Sequence, residues 1–258
     1  MARILITGSS DGLGAVAANT LIKKGHQVVT HARSAARADD ARAAVPGAEA
    51  VLVGDLSKVD DIKKLASDAN ALGAFDVVIH NAGLFRGGYR KTDLDLPSVI
   101  AVNVMAPYLL TALIHKPKRI VYISSGLHRG GDAEFKDPTW RERGEEGWEE
   151  NQAYYDSKMH VSTLAAAVAR LWPDVKSNSV DPGWVPTKMG GEGASGKAED
   201  GVATYVLLAE GTGAGDVSGK YFQPGAKEDT PVAFTQDVKR QDELLKLWED
   251  ITGVKLAA

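Results

Sequence analysis

Short apolar runs alternate with longer segments of helical periodicity along most of this chain. The run from Ile4 to Ile6 is followed by an amphipathic segment from Leu13 to Lys24 and by a second run from Gln27 to Thr30. The same alternation continues at 50–53, 59–72, 76–79, 96–114, 119–124, 154–171, 175–180, 198–208 and 220–222. Runs that are apolar throughout are typical of parallel strands covered by helices on both faces. The alternation therefore predicts an α/β fold with a doubly wound, Rossmann-type sheet of seven parallel strands.

The length and charge of the chain narrow the class of protein further. Its 258 residues fit one hydrophobic core, so we expect a single domain over residues 1–258. A net charge of −4 without a cluster of Lys and Arg argues against a nucleic-acid partner. Because the chain has no cysteine, disulfides, thiolate nucleophiles and thiolate zinc sites are excluded, and we predict no metal site. No export signal and no run of about 18 apolar residues occurs, so we expect a cytoplasmic protein without a membrane anchor.

A glycine-rich turn joins the first predicted strand to the first predicted helix. It reads Thr7-Gly8-Ser9-Ser10-Asp11-Gly12-Leu13-Gly14. Gly8 suits the tight turn, Gly12 admits phosphate groups, and Gly14 allows close helix packing, while the helix N-terminus supplies partial positive charge. An ordinary structural turn is the alternative. We predict that this turn binds the pyrophosphate of a dinucleotide through the following residues: Gly8, Ser10, Asp11, Gly12, Leu13 and Gly14.

Tyr154 and Lys158 lie four residues apart at the start of a predicted helix. At this spacing both side chains lie on one face of the helix and can address one ligand. A phenol with its ordinary pKa of about 10 is a poor acid near neutrality, and an adjacent ammonium favours its ionised form. The pair is therefore suited to proton transfer, although the same spacing is common on surface helices.

Taken in order, these motifs resemble the short-chain dehydrogenase/reductase family, which has a T-G-x-x-x-G-x-G turn and a Y-x-x-x-K motif. The resemblance implies that Tyr154 exchanges a proton with a carbonyl oxygen while Lys158 also binds the ribose of the nicotinamide cofactor. It implies that Ser125, rather than Ser124, binds the substrate oxygen, and that Asn103 supports a proton relay to the lysine. Further cofactor contacts are implied by the resemblance for Asp55, Leu56, Asn81, Ala82, Gly83, Pro182, Gly183, Val185 and Thr187. His80 is interpreted as structural.

The residues at the end of the second predicted strand indicate whether the chain prefers NAD or NADP. Ala32 stands where an NAD-binding chain of this type carries an acid for the ribose 2′-hydroxyl. The next residue, Arg33, can instead pair with a 2′-phosphate. Asp11 opposes this preference, because NADP-preferring members of the family often have Arg or Lys at its position. We therefore predict NADP as the cofactor, with NAD less favoured.

The interval between Ser125 and Tyr154 is about twice as long as in most members of the family. Its residues 126–151 are polar and carry Trp140 and Trp148, so we expect either a flap over the substrate or a solvated loop, with the two tryptophans favouring the flap. The long form resembles the branch that contains retinol dehydrogenases and protochlorophyllide reductases. Asp181 and Trp184, after the sixth strand, either line the substrate side or pack.

Three functions remain open from the sequence. The first is an NADP(H)-dependent carbonyl reductase or alcohol dehydrogenase for a small organic substrate. The second is a sugar-type epimerase or dehydratase with bound NAD(P), and the third is a non-catalytic NADP-sensing protein. The resemblance also implies a dimer or tetramer, and the loops at 85–90, 127–151 and 184–197 set a substrate specificity that the sequence does not name.

Overall fold

All strands of this protein belong to one sheet, flanked by helices. A computed structural model describes residues 1–257. The strands are β1 (Arg3–Ile6), β2 (Gln27–Ala32), β3 (Ala50–Val53), β4 (Val77–His80), β5 (Arg119–Ile123), β6 (Lys176–Val180), β7 (Tyr221–Gln223) and β8 (Lys227–Asp229). The helices are α1 (Gly12–Lys23), α2 (Ala35–Ala44), α3 (Val59–Ala71), α4 (Ser98–Ile100), α5 (Ala106–Leu113), α6 (Glu150–Leu171), α7 (Ala198–Glu210) and α8 (Val238–Thr252).

The sheet has the strand order β3-β2-β1-β4-β5-β6-β7-β8. All neighbours from β3 to β7 are parallel, which confirms the predicted doubly wound fold. The strand count is eight rather than seven, because β8 pairs antiparallel with β7. Gly225 and Ala226 have positive φ and form the hairpin turn, and the charged, largely exposed residues of β8 carry no apolar signal in the sequence.

Side chains of each central strand point alternately into two cores, one on each face of the sheet. In β1, Leu5 joins the core beneath α3, α5 and α6, whereas Ile4 and Ile6 join the core beneath α1 and α7. Val78 in β4 joins the same core as Leu5. This double burial is the physical reason why the strands read as unbroken apolar runs.

The helix predicted from 96 to 114 is interrupted in its middle. A π-helical turn, Ala101–Met105, separates α4 from α5, and Asn103 is at its centre. Pro107 lacks the backbone N–H that an α-helix would direct at the carbonyl of Asn103, so regular α-helical hydrogen bonding fails at this point. The interruption gives Asn103 a backbone environment that differs from that of the neighbouring helix residues.

The segment 126–149 is attached to the rest of the protein through a few buried residues, namely His128, Asp137, Thr139 and Trp140. It starts with a 3₁₀ helix, Gly126–Gly130, and its Trp140 is fully buried. The buried carboxylate of Asp156 in α6 holds the segment, because it accepts hydrogen bonds from the backbone N–H of Asp132 at 2.8 Å and from the indole N–H of Trp140 at 2.9 Å. The contacts of Asp156 anchor the segment at its centre, while most of its other residues are partly or fully exposed, so it combines features of both expected forms.

The last helix, α8, adds apolar side chains to the core that contains Leu5 and Val78. Leu244 and Trp248 are fully buried against the α6 side of the molecule. Within residues 1–257, no helix is both long and apolar enough to span a bilayer.

Candidate active site

The predicted site residues gather at the carboxyl ends of the central strands. From β1 the strand order runs through β2 and β3 to one side of the sheet, and from β4 it runs through β5 to β8 to the other side. The gap between β1 and β4 is therefore the topological switch point, where open α/β sheets bind their ligands. The glycine turn follows β1, Asn81 follows β4, Ser125 follows β5, and Asp181 follows β6. One edge of the sheet therefore carries every segment that the sequence singled out.

The glycine turn has backbone geometry that side chains would disturb. Gly8 and Gly12 have φ values of +63° and +54°, in the left-handed region. A Cβ on Gly14 would lie 2.5 Å from the carbonyl oxygen of Gly8, so helix α1 approaches the turn as closely as predicted. No side chain caps the N-terminus of α1, and the N–H groups of its first turn are left for an anion. The cradle therefore fits a pyrophosphate.

Asn81 links the glycine turn to the end of β4. Its Nδ2 donates to the carbonyl oxygens of Thr7 at 3.0 Å and Gly8 at 2.8 Å. The hydroxyl of Thr7 in turn accepts from the backbone N–H groups of Asn81 and Ala82. A Cβ on Gly8 would lie 2.7 Å from the Cα of Ala82. The two loops are thus held at a separation that only small residues allow.

His31 supports the glycine turn from beneath, a role that the sequence did not reveal. The backbone N–H of Gly8 donates to its Nδ1 at 3.0 Å, and its Nε2 lies 2.8 Å from the carbonyl oxygen of Gly54. The ring must therefore be neutral, with the proton on Nε2. Burial lowers the pKa of His31, which favours this neutral form. A single histidine in an apolar strand gives no sequence signal for such a contact.

The adenosine end of the cleft carries a cluster of charges. Arg33 is exposed just after β2. Asp55 accepts from the backbone N–H and the hydroxyl of Ser57 through Oδ1, at 3.0 and 2.7 Å, while Leu56 is buried in the core. Asp55 therefore stabilises the loop before α3, and its Oδ2 accepts no hydrogen bond within residues 1–257.

Asp11 is neutralised by two cations that sequence reasoning missed. Nη2 of Arg37 lies 2.6 Å from Asp11 Oδ2 and also donates to the hydroxyl of Ser10 at 3.0 Å. Nζ of Lys188 lies 2.9 Å from the same carboxylate oxygen. Burial raises the pKa of Asp11, but hydrogen bonds from Lys188 and Arg37 outweigh it and leave the pKa below its ordinary value. The negative charge of Asp11, which in the sequence argued against NADP, is thus balanced by the charges of Arg37 and Lys188.

Tyr154 and Lys158 lie on one face of α6 and are almost fully buried. The Nζ of Lys158 donates to the carbonyl oxygen of Ile123 at 2.8 Å and lies 5.4 Å from the centre of the Tyr154 ring. A Cβ on Gly83 would lie 3.4 Å from that Nζ and 3.5 Å from Oδ1 of Asn103. Four predicted residues thus converge on one small volume.

The pKa values of the pair differ from the expectation for an isolated Tyr–Lys contact. Burial raises the pKa of Tyr154 to about 12, a hydrogen bond with Ser125 lowers it in part, and Asp181 raises it. Burial lowers the pKa of Lys158 to about 8, and the charge of Asp181 acts in the opposite direction. The expected lowering of the phenol pKa by Lys158 is not found, because the ammonium is directed at Ile123 rather than at the phenol oxygen.

The two serines after β5 have different environments. Ser124 donates to the carbonyl oxygen of Lys158 at 2.9 Å and accepts from Ser162 at 2.7 Å, so its hydroxyl is used inside the fold. Ser125 caps the following 3₁₀ helix by accepting from the N–H of Leu127 at 3.2 Å, and its hydroxyl lowers the pKa of the Tyr154 phenol. Only Ser125 is on the side of the reactive phenol.

Both the oxygen and the nitrogen of the Asn103 side-chain amide form hydrogen bonds within the protein. Its Oδ1 accepts from the N–H of Leu84 at 2.7 Å, and its Nδ2 donates to the carbonyl oxygen of Leu84 and to the hydroxyl of Ser157, both at 2.9 Å. The side chain therefore fixes the loop after β4 against α6. Any relay role falls to its backbone carbonyl, which lies at the π-helical turn.

The segment after β6 crosses the cleft. Gly183 has a φ of +80°, and Val185 is buried. Thr187 lies next to Gly12 of the glycine turn, because its methyl group is 3.7 Å from the position that a Cβ on Gly12 would take. Met189 follows, and its Cε would lie 4.0 Å from a Cβ on Gly83. The segment that starts at Pro182 therefore lies over both the glycine turn and the Lys158 region.

The substrate side of the cleft is largely apolar. The ring of Phe85 stacks on that of Tyr154 with 4.2 Å between centroids. Leu127 and Trp184, on the loops after β5 and β6, are two of the few large apolar side chains that are exposed.

Comparison with known proteins gives the same family for most of the chain. Residues 2–134 match the family model described as short chain dehydrogenase. Short-chain dehydrogenase chry4 of Gibberella zeae is 48% identical over 256 residues, covering 99% of each chain, and short-chain dehydrogenase chyC of Penicillium rubens is 48% identical over the full length of both. Retinol dehydrogenase 14 of Homo sapiens is 28% identical and covers 95% of this chain and 84% of its own.

Solved structures share the fold at lower identity. A putative uncharacterized protein from Mycobacterium paratuberculosis superposes with a TM-score of 0.82 at 22% identity and covers 100% of this chain and 96% of its own. A blue fluorescent protein from a metagenomic library, solved in complex with NADPH, has a TM-score of 0.69 at 24% identity and covers 87% of this chain and 97% of its own.

The fold and the composition of its carboxyl-end cleft define a nicotinamide-dependent oxidoreductase. The chain belongs to the short-chain dehydrogenase family, and retinol dehydrogenases are among its more distant relatives, as the long Ser125–Tyr154 interval indicated.

Proposed function

We propose that this protein interconverts a carbonyl compound and a secondary alcohol with NADP(H), and that Tyr154 is its proton donor and acceptor. The observation that carries the proposal is the buried pair Tyr154 and Lys158, with partly buried Ser125 next to the phenol, beside a glycine turn suited to a dinucleotide. The bound cofactor supplies the hydride in reduction and accepts it in oxidation.

Each residue of the cluster has a defined task in this reaction. In reduction, the phenol of Tyr154 gives its proton to the carbonyl oxygen as the carbon receives hydride, so the products are the alcohol and a tyrosinate that water reprotonates. A pKa raised to about 12 makes the phenol a weak acid, so the charge of the tyrosinate must be stabilised. The hydroxyl of Ser125 already lowers this pKa, and the ammonium of Lys158, 5.4 Å from the ring centre, stabilises the tyrosinate if it turns from the carbonyl oxygen of Ile123 towards the phenol oxygen.

The proposed preference for NADP rests on the charges around the adenosine end. Ala32 leaves no acid for a ribose hydroxyl, and exposed Arg33 is available to a 2′-phosphate. Arg37, held by Ser10 and Asp11, adds a second guanidinium on the same side. The NADPH complex of the metagenomic blue fluorescent protein, which shares this fold, supports the same cofactor.

Replacement of Tyr154 tests the reaction. Tyr154→Phe should lower kcat for NADPH-dependent reduction of a carbonyl panel by roughly 10²–10⁴-fold, the usual contribution of a general acid. The dissociation constant of NADPH, measured by fluorescence, should stay within a few-fold of the wild type. Tyr155→Phe is the matched control, because this neighbour faces Gly130 of the insertion and should retain activity. Unchanged kcat in Tyr154→Phe, or turnover without net change of the nicotinamide absorbance, would contradict the proposal.

Replacement of Arg33 tests the cofactor preference. Arg33→Ala should weaken NADPH binding by about 10-fold or more, since it removes a charge-assisted contact to the phosphate, and should leave NADH binding unchanged. Arg42→Ala is the matched control, because Arg42 is exposed on α2 and pairs only with Asp39. An equal loss of affinity for NADPH and NADH would show that Arg33 does not contact the 2′-phosphate.

A further inference from the structure

One carboxylate at the reacting end of the cleft has no part in the proposed proton transfer. Asp181 is the first residue after β6, which pairs with β5, the strand that Ser124 and Ser125 follow. It is half-buried, and its Oδ1 accepts from the backbone N–H of Gly183 at 2.8 Å. This contact fixes the carboxylate within the turn and leaves Oδ2 directed elsewhere.

Oδ2 of Asp181 lies against the backbone that follows Ser125. A Cβ on Gly126 would be 2.9 Å from this oxygen, so only glycine allows the carboxylate its present position. Within residues 1–257, Oδ2 accepts no hydrogen bond, and no Lys, Arg or His forms an ion pair with Asp181. The nearest candidate, Lys158, directs its Nζ at the carbonyl oxygen of Ile123.

The surroundings of Asp181 include the reactive groups. Its contact with Gly126 places the carboxylate beside the residue that follows Ser125, and its charge raises the pKa of Tyr154 and opposes the lowering of the Lys158 pKa by burial. Exposed Trp184 lies three residues after Asp181, and exposed Leu127 follows Gly126, the residue against which Oδ2 of Asp181 lies. An acceptor oxygen with unused capacity thus lies beside Gly126 and the apolar side chains of Leu127 and Trp184.

We propose that Asp181 is a specificity-determining residue that accepts a hydrogen bond from the substrate. On this proposal, which rests on the proposed function, the substrate is an uncharged compound with an apolar body and an O–H or N–H donor on the atom next to the reacting carbonyl carbon. A carboxylate acceptor leaves a donor-free analogue without compensation for the desolvation of Asp181. It also repels an anionic group at the same place, so 2-oxo acids are poor substrates.

Three aryl ketones with NADPH test the inference. These are 2-hydroxyacetophenone, which has the donor, 2-methoxyacetophenone, which lacks it, and benzoylformate, which is an anion at neutral pH. Asp181→Asn is the informative variant, because its side-chain oxygen still accepts from Gly183 while the second position becomes an N–H donor. Asp93→Asn, at an exposed residue, is the matched control.

In the wild type, kcat/KM should fall in the order hydroxy ketone, methoxy ketone, benzoylformate. Asp181→Asn should lower kcat/KM for the hydroxy ketone by about 10- to 100-fold, the usual effect of losing a hydrogen bond to a charged group. The value for the methoxy ketone should change by less than about 3-fold, and that for benzoylformate should rise as the negative charge is removed. The control variant should retain the wild-type order.

Two patterns would overturn the inference while the proposed function survives. Equal losses for the hydroxy and methoxy ketones, with the same shift in both pH–rate profiles, would mean that Asp181 acts through Tyr154 alone. A wild type that prefers the methoxy ketone would mean that no donor is recognised. By contrast, a wild type that oxidises no NADPH with any of the three ketones would contradict the proposed function for aryl ketones, and the inference with it.

Discussion

Lys188 and Asp11 form an ion pair across the dinucleotide cleft, with 2.9 Å between Nζ and Oδ2 of residues that are 177 positions apart in sequence. The pair joins the segment after β6 to the glycine turn, while Thr187 lies against Gly12 beside it. A dinucleotide bound at the turn would lie beneath this segment. The ion pair therefore connects the cofactor site to the loop that carries Trp184 and Met189.

Loss of this ion pair should loosen the loop. Lys188→Met retains most of the side-chain volume and removes the charge, so we expect faster cleavage of the 184–197 segment in limited proteolysis. NADPH dissociation, followed by stopped-flow fluorescence, should accelerate by about 2- to 5-fold, since exposed ion pairs contribute little energy. The fold should remain unchanged.

Lys64→Met is the control for this variant. Lys64 is exposed to a similar degree and pairs with Asp68 on the surface of α3, away from the cleft. Its removal should change neither proteolysis nor the dissociation rate. Identical behaviour of the two variants would mean that Lys188 does not hold the loop.

A second prediction concerns the carboxylate that holds the insertion. Asp156 accepts hydrogen bonds from Asp132 N–H, Trp140 and Gln152 and is almost fully buried. Asp156→Asn directs an N–H at one of these donors, so the free energy of unfolding should fall by about 1–3 kcal/mol. Urea denaturation measures the loss.

The same variant should expose the insertion before the rest of the chain unfolds. Trp140 is fully buried beside Asp156, so its fluorescence should report loosening at lower urea than the circular dichroism of the sheet and helices. Asp93→Asn, at an exposed position, should match the wild type. Coincident transitions with an unchanged midpoint would contradict the anchoring role.

The sequence predicted the fold well because each of its signals is local. The apolar runs of β1 to β6, the glycine turn and the position of α6 all follow from residues that are neighbours in the chain. The strand β8 was missed because its three residues are polar, and the π-helical turn at Asn103 was missed because the segment 96–114 has helical periodicity along its whole length.

The site was predicted less completely than the fold, for a physical reason. Arg37, Lys188 and His31 act through contacts with residues more than 20 positions away, and each is an ordinary residue in its own segment. Asp156 is similar: it stands between Tyr154 and Lys158, yet its partners lie in the insertion. Tertiary contacts of this kind leave no period or motif that one sequence can display.

The final prediction concerns acid stability and the buried ring of His80. This side chain stacks on Tyr122, and its Nδ1 has no hydrogen-bond partner within residues 1–257. Burial lowers the pKa of His80 from 6.5 to about 3. Below pH 6.5 the unfolded chain therefore binds a proton that the folded chain does not, and stability is lost as the pH falls towards 3.

From pH 6.5 to pH 5.0 this single group should cost roughly 1.5 kcal/mol of unfolding free energy. His80→Leu removes the titrating ring and leaves the hydroxyls of Thr111 and Tyr122 bonded to each other at 2.8 Å. Its unfolding free energy, measured in urea at both pH values, should therefore fall by about 1.5 kcal/mol less than that of the wild type. His115→Gln, at an exposed position, is the control and should keep the wild-type dependence. If His80→Leu and the wild type lose the same free energy over this interval, His80 is protonated in the folded protein and its burial does not limit acid stability.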